Sequence, residues 1–264
     1  MLDTLSTKNG QQQIQTEEHC MFLKKITLLK NEIPAKEKYP FSIPAIKNLN
    51  SLDLTSNITF FVGENGSGKS TLLEAIADKC GFHTAGGSRH NQYDVHGAHS
   101  ELGDYLRLSW MPKITNGFFL RAESFYHFAT YLDKMEEDPY TKSNYRHYGS
   151  KSLLEQSHGE SFLSLFLNRF TGKAIYLLDE PEAALSPQRQ LTFLRILHDL
   201  SKNQKCQFLI ATHSPILLGY PHAKIWSFDH DSIKEVDYEQ TDHYQITKYF
   251  LNNRDNMLKE LLKD

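Results

Sequence analysis

The sequence has few cysteines and no long apolar segment. Its three cysteines, Cys20, Cys80 and Cys206, are far apart and form no C-x-x-C pair. This spacing argues against a disulfide framework and a zinc site, and it is typical of a reducing cytosol. No apolar run reaches the roughly 18 residues of a membrane span, and the polar N-terminus lacks an apolar signal core. We therefore expect a cytoplasmic protein with no transmembrane segment.

A strong net charge and a metal-ligand pattern are also lacking. The formal net charge is −3, so no global field attracts nucleic acid, and any such contact would need a local basic patch. His90, His96 and His99 lie in a Gly/Ser/Asn-rich stretch without ligand spacing, which does not favour a metal site. The 264 residues suffice for one large α/β domain or two small ones.

Short apolar runs alternate with helical patterns along the chain. The runs 58–62 and 174–178 are continuously apolar, which is typical of strands buried on both faces. This alternation predicts an α/β fold with a mostly parallel sheet covered on both faces. Further strands are predicted at 106–110, 117–120, 207–211 and 224–228, and helices at 71–80, 124–132, 160–170, 187–200 and from about 244.

Three other stretches have no such periodicity. Residues 1–18 are polar and predict a flexible tail, which leaves 19–264 as the folded domain. Prolines at 34, 40 and 44 predict strands and turns rather than helix between residues 22 and 54. The Gly-, His-, Ser- and Asn-rich stretch 82–104 predicts a loop.

A glycine-rich loop follows the first buried strand and fits G-x-x-x-x-G-K-[ST] at every fixed position. Glycines let successive backbone amides point at an anion, and the helix that follows adds its positive end. Lys69 would contact the β- and γ-phosphates, the Ser70 hydroxyl would bind Mg²⁺, and Thr71 can reach the α-phosphate. The predicted ATP-binding residues are Gly63, Glu64, Asn65, Gly66, Ser67, Gly68, Lys69, Ser70 and Thr71.

Two carboxylates follow the second buried strand. Ligands of parallel sheets bind at the carboxyl ends of the strands, so Asp179 and Glu180 are expected to face the phosphate loop. Asp179 would then hold Mg²⁺, and Glu180 would act as the general base that polarises the attacking water.

Together these motifs resemble the nucleotide-binding domain of ATP-binding-cassette proteins. The resemblance is closest to the soluble branch with RecF, Rad50 and structural-maintenance-of-chromosomes heads, and to small bacterial predicted ATPases. The resemblance extends from about residue 38 to residue 228. The matching segments are the Walker A loop at 63–71, the signature at 157–160, the Walker B strand at 175–180, the D-loop at 184–187 and the switch-histidine loop at 211–214.

The resemblance implies a P-loop ATPase head with a small antiparallel β subdomain and a helical lobe at about 124–171. It also implies a dimer in which ATP joins two heads head to tail. Ser157, Gly159 and Glu160 of one head would then bind the γ-phosphate held by the partner. His213 would contact the γ-phosphate and hold the attacking water.

The chain departs from the family pattern at several positions. His158 replaces the first glycine of the signature. The glutamine of the family's glutamine loop is missing, and Glu123 or Arg121 would take its place. Tyr39 or Phe41 would stack on adenine, although upstream aromatic residues of this kind are also common in a hydrophobic core.

The sequence leaves three functions open. Only about 30 residues separate the glutamine-loop position from the signature, which is too few for a long coiled coil. The first function is a stand-alone ATP-gated dimer that switches an effector protein or nucleic acid, in DNA maintenance or phage defence. The others are the ATPase subunit of a membrane transporter and a nucleotide-gated scaffold that scarcely hydrolyses ATP. Glu180 argues against the scaffold, because a scaffold needs no general base.

The lysines and tyrosines of the stretch 124–150 also fit contact with nucleic acid or a protein. The acidic residues interspersed among them favour a solvated lobe instead.

Overall fold

The computed structural model describes residues 21–83, 100–125, 129–130, 133, 158–169, 172–203 and 205–263. Several predicted features lie outside the described residues: the tail, most of the helical lobe, Ser157, and the histidines at positions 90, 96 and 99. Within the predicted helix 124–132, the structure shows helix at Phe125, Ala129 and Thr130. Asp133, which follows the predicted helix, is helical as well.

Strands and helices alternate through most of the described chain. The strands are β1 Leu23–Leu28, β2 Ser51–Asp53, β3 Ile58–Val62, β4 Leu106–Trp110, β5 Gly117–Arg121, β6 Ile175–Asp179, β7 Gln207–Ala211, β8 Lys224–Ser227 and β9 Lys234–Val236. The helices are α1 Pro44–Asn48, α2 Lys69–Cys80, α3 Glu101–Asp104, α4 His158–Arg169, α5 Pro187–Asn203, α6 Pro215–Leu218 and α7 Asp242–Leu261.

The central sheet has the strand order β5-β6-β7-β3-β8-β9. The first five strands in this order are parallel, and β9 pairs antiparallel with β8. A second, antiparallel sheet has the order β2-β1-β4. The predicted α/β fold, with a mostly parallel sheet and a small antiparallel sheet, is confirmed. Because β7 lies between β3 and β6, the loops that follow these three strands meet at one edge of the sheet.

Two hydrophobic cores cover the two faces of the central sheet. Neighbouring residues of β3 point to opposite faces, with Phe60 in the core beneath α4 and α5 and Phe61 in the core beneath α1 and α2. Both side chains are fully buried. Burial on both faces explains why the sequences of β3 and β6 are mostly apolar.

Three local predictions were wrong or incomplete. Residues 44–48 form helix α1 rather than a strand or turn, because a proline in the first turn does not interrupt helical hydrogen bonds. The predicted loop 82–104 includes the short helix α3. Strand β9 was not predicted, because its three half-exposed or exposed residues show no apolar pattern.

None of the helices in the described ranges combines the length and the apolar character that crossing a membrane requires.

Candidate functional site

The phosphate loop connects β3 to α2. Gly63, Gly66 and Gly68 have φ angles of 147°, 80° and 103°, which residues with a Cβ rarely adopt. Gly68 is the N-cap of α2, so the first turn of this helix begins at Lys69 with its amides free. The loop therefore presents a helix N-terminus and a glycine-rich backbone to the same space, as an anion site requires.

Lys69 is folded back along the loop. Its Nζ donates hydrogen bonds to the carbonyl oxygens of Gly63 at 2.6 Å and Glu64 at 2.9 Å. The side chain is buried, and burial lowers the lysine pKa, while the carboxylates of Glu180 and Asp179 act in the opposite direction. The lysine charge is thus held inside the loop next to acidic residues.

Asp229 fixes the beginning of the loop from outside it. Its Oδ1 accepts the backbone N–H of Glu64 at 2.6 Å, and its Oδ2 accepts the Ser227 hydroxyl at 3.0 Å. A Cβ at Gly63 would lie 2.9 Å from this Oδ1, so glycine is needed for the close approach. Asp229 was not predictable from the loop motif, because the residue follows β8, more than 160 positions after the loop.

Ser70 and Asp179 meet at the predicted magnesium position. The Ser70 hydroxyl donates a 2.9 Å hydrogen bond to Asp179 Oδ1. Asp179 is buried at the end of β6, and its Oδ2 accepts Nε of Arg121 at 3.0 Å. A hydroxyl and a carboxylate oxygen in contact fit Mg²⁺, which takes few protein ligands and completes its shell with phosphate and water. In the described part of the chain, no group of three or more His, Cys, Asp or Glu side chains forms a separate metal site.

Glu180 follows Asp179 in a left-handed backbone conformation, with φ of 50° and ψ of 52°. Its backbone N–H donates to the Ala211 carbonyl at 2.9 Å. Burial and then the Asp179 charge raise the Glu180 pKa, whereas Lys69 lowers it. A carboxylate with a raised pKa has the properties of a general base.

His213 lies opposite Glu180, with 3.5 Å between its Nε2 and Glu180 Oε1. Its backbone N–H donates to Glu182 Oε1 at 2.6 Å, which fixes the turn after β7. Burial, followed by the charges of Lys69 and His243, lowers the pKa of His213 to about 4. The imidazole is therefore neutral at physiological pH.

The signature segment is described from His158 onward. Gly159 is buried, and a Cβ at this position would collide with the guanidinium of Arg189. Arg189 also pairs with Glu160, with Nη2 and Oε1 3.4 Å apart. These contacts join the start of α4 to α5. The predicted contact of Gly159 and Glu160 with the γ-phosphate held by a second chain stays a prediction.

The two candidates for adenine stacking differ in exposure. Phe41 is 2 % exposed and packs edge-on against Tyr105. Of its two predicted roles, it therefore has the one in the hydrophobic core and is not available to stack on adenine. Tyr39 is 70 % exposed, and its hydroxyl lies 3.4 Å from Oγ1 of Thr71. The exposed ring beside the phosphate loop therefore makes Tyr39 the candidate.

Residues 99–218 match the AAA ATPase domain family. The chain is 34 % identical over 98 residues to Protein ea59 of Escherichia phage lambda, an alignment covering 35 % of this chain and 18 % of that protein. It is 29 % identical over 207 residues to the tungstate uptake system ATP-binding protein TupC of Campylobacter jejuni, covering 73 % of this chain and 61 % of TupC. The matches thus span less than two thirds of either relative.

The fold is also that of a solved ATP-binding cassette. The cassette MJ1267 of an ABC transporter matches with a TM-score of 0.50 and 14 % identity, covering 90 % of this chain and 99 % of that one. At this identity the likeness concerns the fold. The family match covers residues 99–218, and the structural match shows that the chain, with its phosphate loop and mostly parallel sheet, has the fold of an ATP-binding cassette.

Proposed function

We propose that this chain binds Mg-ATP through residues 63–71 and hydrolyses it with Glu180 as general base. The observation that carries the proposal is the 2.9 Å hydrogen bond between Ser70 and Asp179. It joins the first turn after the phosphate loop to the carboxyl end of β6, and Glu180 is the next residue. Binding loop, metal ligands and general base therefore surround one space.

Each side chain has a distinct task in the proposed reaction. The loop amides and Lys69 bind the phosphates and stabilise the charge that develops on the γ-phosphoryl group. Ser70 and Asp179 would hold Mg²⁺, which would supply further positive charge to the phosphate oxygens. Glu180 takes a proton from the attacking water and so holds it in place, and neutral His213 donates a hydrogen bond to the γ-phosphate.

The proposal includes a head-to-tail dimer formed around ATP. Gly159 and Glu160 lie in the first turn of α4, whose positive N-terminal end attracts an anion, and Ser157 precedes the helix in sequence. In this arrangement the γ-phosphate bound by one chain contacts these residues of the other. ATP binding then closes the dimer and hydrolysis opens it, so that the chain acts as a switch for an effector protein or nucleic acid, in DNA maintenance or phage defence.

A second candidate is the ATPase subunit of a membrane transporter. The match to TupC, the ATP-binding protein of a tungstate uptake system, favours this function. The transporter would need a separate membrane-spanning partner. Co-purification of such a partner with the tagged chain from its native cells would support the transporter, and purification without one would support the stand-alone switch.

The decisive experiment measures the mass of Glu180→Gln protein in solution with and without Mg-ATP. Glutamine keeps the shape of the side chain but cannot accept the proton. We therefore expect Glu180→Gln to form ATP-bound dimers and to hydrolyse ATP at least about 100-fold more slowly than the unmodified protein. The control is Glu32→Gln, a change of an exposed residue in the turn after β1, which should hydrolyse ATP like the unmodified protein.

An unchanged mass with ATP bound would contradict the homodimer and require another subunit. Normal turnover by Glu180→Gln would overturn the general-base assignment. ATP binding without turnover by the unmodified protein would instead favour the non-hydrolysing scaffold.

A further inference from the structure

His243 is an additional histidine at the site, and the motifs did not include it. It lies in the first turn of α7, and its Nε2 is 2.8 Å from Nδ1 of His213. The ring centroids are 4.9 Å apart with an interplanar angle of 52°. The two outer nitrogens, Nε2 of His213 and Nδ1 of His243, are buried, and neither has a hydrogen-bond partner among the residues that the structure describes.

A nitrogen–nitrogen contact of this length requires one ring to donate and the other to accept. A neutral imidazole carries one N–H, so only two arrangements of the neutral pair exist. Protonation of both rings would place two cations in contact, and the lowered pKa of His213 keeps this ring neutral. The choice between the two arrangements depends on what the outer nitrogens face.

In the first arrangement, His213 donates from Nδ1. The remaining proton of His243 then lies on Nδ1, where a buried N–H has no acceptor, and such a group costs about 1–3 kcal/mol. The bare Nε2 lone pair of His213 would also face the Glu180 carboxylate at 3.5 Å, and the two would repel.

In the second arrangement, His243 donates from Nε2 to Nδ1 of His213. The proton of His213 then lies on Nε2 and points towards Glu180, which is electrostatically favourable. The unpartnered nitrogen of His243 is a lone pair rather than an N–H. In this second arrangement, the N–H of His243 therefore has the Nδ1 lone pair of His213 as its acceptor, and the N–H of His213 faces the Glu180 carboxylate.

The position of His243 is fixed by the segment that leads into α7. The Thr241 hydroxyl oxygen accepts the N–H of Tyr244 at 3.4 Å, and its proton is donated to the Tyr238 carbonyl at 2.8 Å. The Tyr238 hydroxyl in turn donates to the carbonyl of Pro215 at 2.9 Å, two residues after His213. The start of α7 is thus tied to the same turn that carries His213.

We propose that His243 is a positioning residue whose Nε2–H donates to Nδ1 of His213 and thereby keeps a proton on His213 Nε2. This assignment rests on the proposed function, in which His213 must donate to the γ-phosphate. A phosphate oxygen is an acceptor, so a His213 protonated on Nδ1 would present a lone pair to it and repel it. The C-terminal helix α7 therefore contributes to the ATP site through His243.

The test combines two readouts on the full chain. Nitrogen-15 NMR of the nucleotide-free protein assigns the His213 tautomer, and steady-state kinetics with Mg-ATP separate kcat from KM. His243→Leu removes the donor, so we expect loss of the uniform Nε2–H tautomer of His213 and a fall in kcat of about tenfold, with KM little changed.

His243→Gln restores an amide N–H near the Nε2 position, and it should recover both the tautomer and most of kcat. His222→Gln, which changes an exposed histidine in the turn before β8, is the matched control and should alter neither.

Three results would overturn the proposal. They are an Nδ1–H tautomer of His213 in the unmodified protein, a normal kcat for His243→Leu, and a His243→Gln variant no better than His243→Leu. The NMR measurement needs no variant and no turnover. If the unmodified protein fails to hydrolyse ATP, the proposed function fails, while the spectrum still confirms or refutes the donation from His243.

Discussion

Nε of Arg121 donates a 3.0 Å hydrogen bond to Oδ2 of Asp179, the carboxylate whose other oxygen accepts the Ser70 hydroxyl. The guanidinium also pairs with Glu74 of α2. Arg121 therefore connects β5, β6 and α2 and places a positive charge beside the proposed Mg²⁺ position. In the nucleotide-free protein, this charge offsets part of the negative charge that Mg²⁺ would neutralise.

Arg121→Ala should destabilise the nucleotide-free protein by about 1–3 kcal/mol, because Glu74 and Asp179 lose their cation in a half-buried setting. Mg-ATP should restore part of this loss, because the bound metal supplies positive charge to Asp179. The measurement is thermal unfolding with and without Mg-ATP.

We expect a larger Mg-ATP stabilisation for Arg121→Ala than for the unmodified protein. Arg195→Ala, which removes an exposed pair with Asp199 on α5, is the control and should change stability little. An equal Mg-ATP stabilisation in all three proteins would contradict this role of Arg121.

Lys69→Ala should weaken ATP binding at least about tenfold, because a charge-assisted contact to the phosphates contributes roughly 1.5–3 kcal/mol. Lys79→Ala, at the exposed end of the same helix, is the control for loss of one positive charge. Fluorescent ATP-analogue titration measures both affinities. Equal affinities of the two variants would exclude Lys69 from the binding site.

Gly117→Ala should destabilise the fold by about 1–3 kcal/mol, because the new Cβ overlaps the Ile175 carbonyl oxygen and the Phe82 ring. The Ile175 oxygen belongs to the backbone of β6 and cannot move without disturbing the sheet. Gly219→Ala, whose Cβ would meet no atom closer than 3.4 Å, is the matched control. Urea unfolding should separate the two variants, and equal midpoints would show that the β5–β6 approach is not tight.

The stability of the fold should decrease between pH 6.5 and about 4 through His213. Its pKa falls from 6.5 to about 4 on folding, so in this window the unfolded chain binds more protons than the folded one. The contribution of neutral His213 to the stability of the folded state is complete above pH 6.5 and is lost as the pH falls towards 4. The raised pKa of Glu180 has the opposite effect on stability, because the folded chain then binds this proton more readily than the unfolded chain.

The comparison that isolates His213 is urea unfolding of the unmodified protein and His213→Asn at pH 7.5 and pH 5. The side chain is 27 % exposed and partly screened, so we expect the difference between the proteins to change by on the order of 1 kcal/mol. His222→Asn, an exposed change, should follow the unmodified protein at both pH values. The same pH dependence in His213→Asn would contradict the assignment.

The sequence by itself determined the local chemistry of this protein. The phosphate loop is one contiguous segment whose residue types are dictated by phosphate binding. The strands β3, β6 and β7 were predictable because burial on both faces favours a mostly apolar run. For the same reason, Asp179 and Glu180 were recognisable as strand-end carboxylates.

Only the tertiary structure decided which distant residues complete the site. Asp229 and His243 reach the site because strand order and helix packing bring together chain segments that share no sequence pattern. The His213–His243 contact joins residues 30 positions apart on a loop and a helix, and its geometry depends on how α7 packs against the turn after β7. Periodicity predicts which face of a helix is buried, but it does not predict which side chain of another element that face will meet.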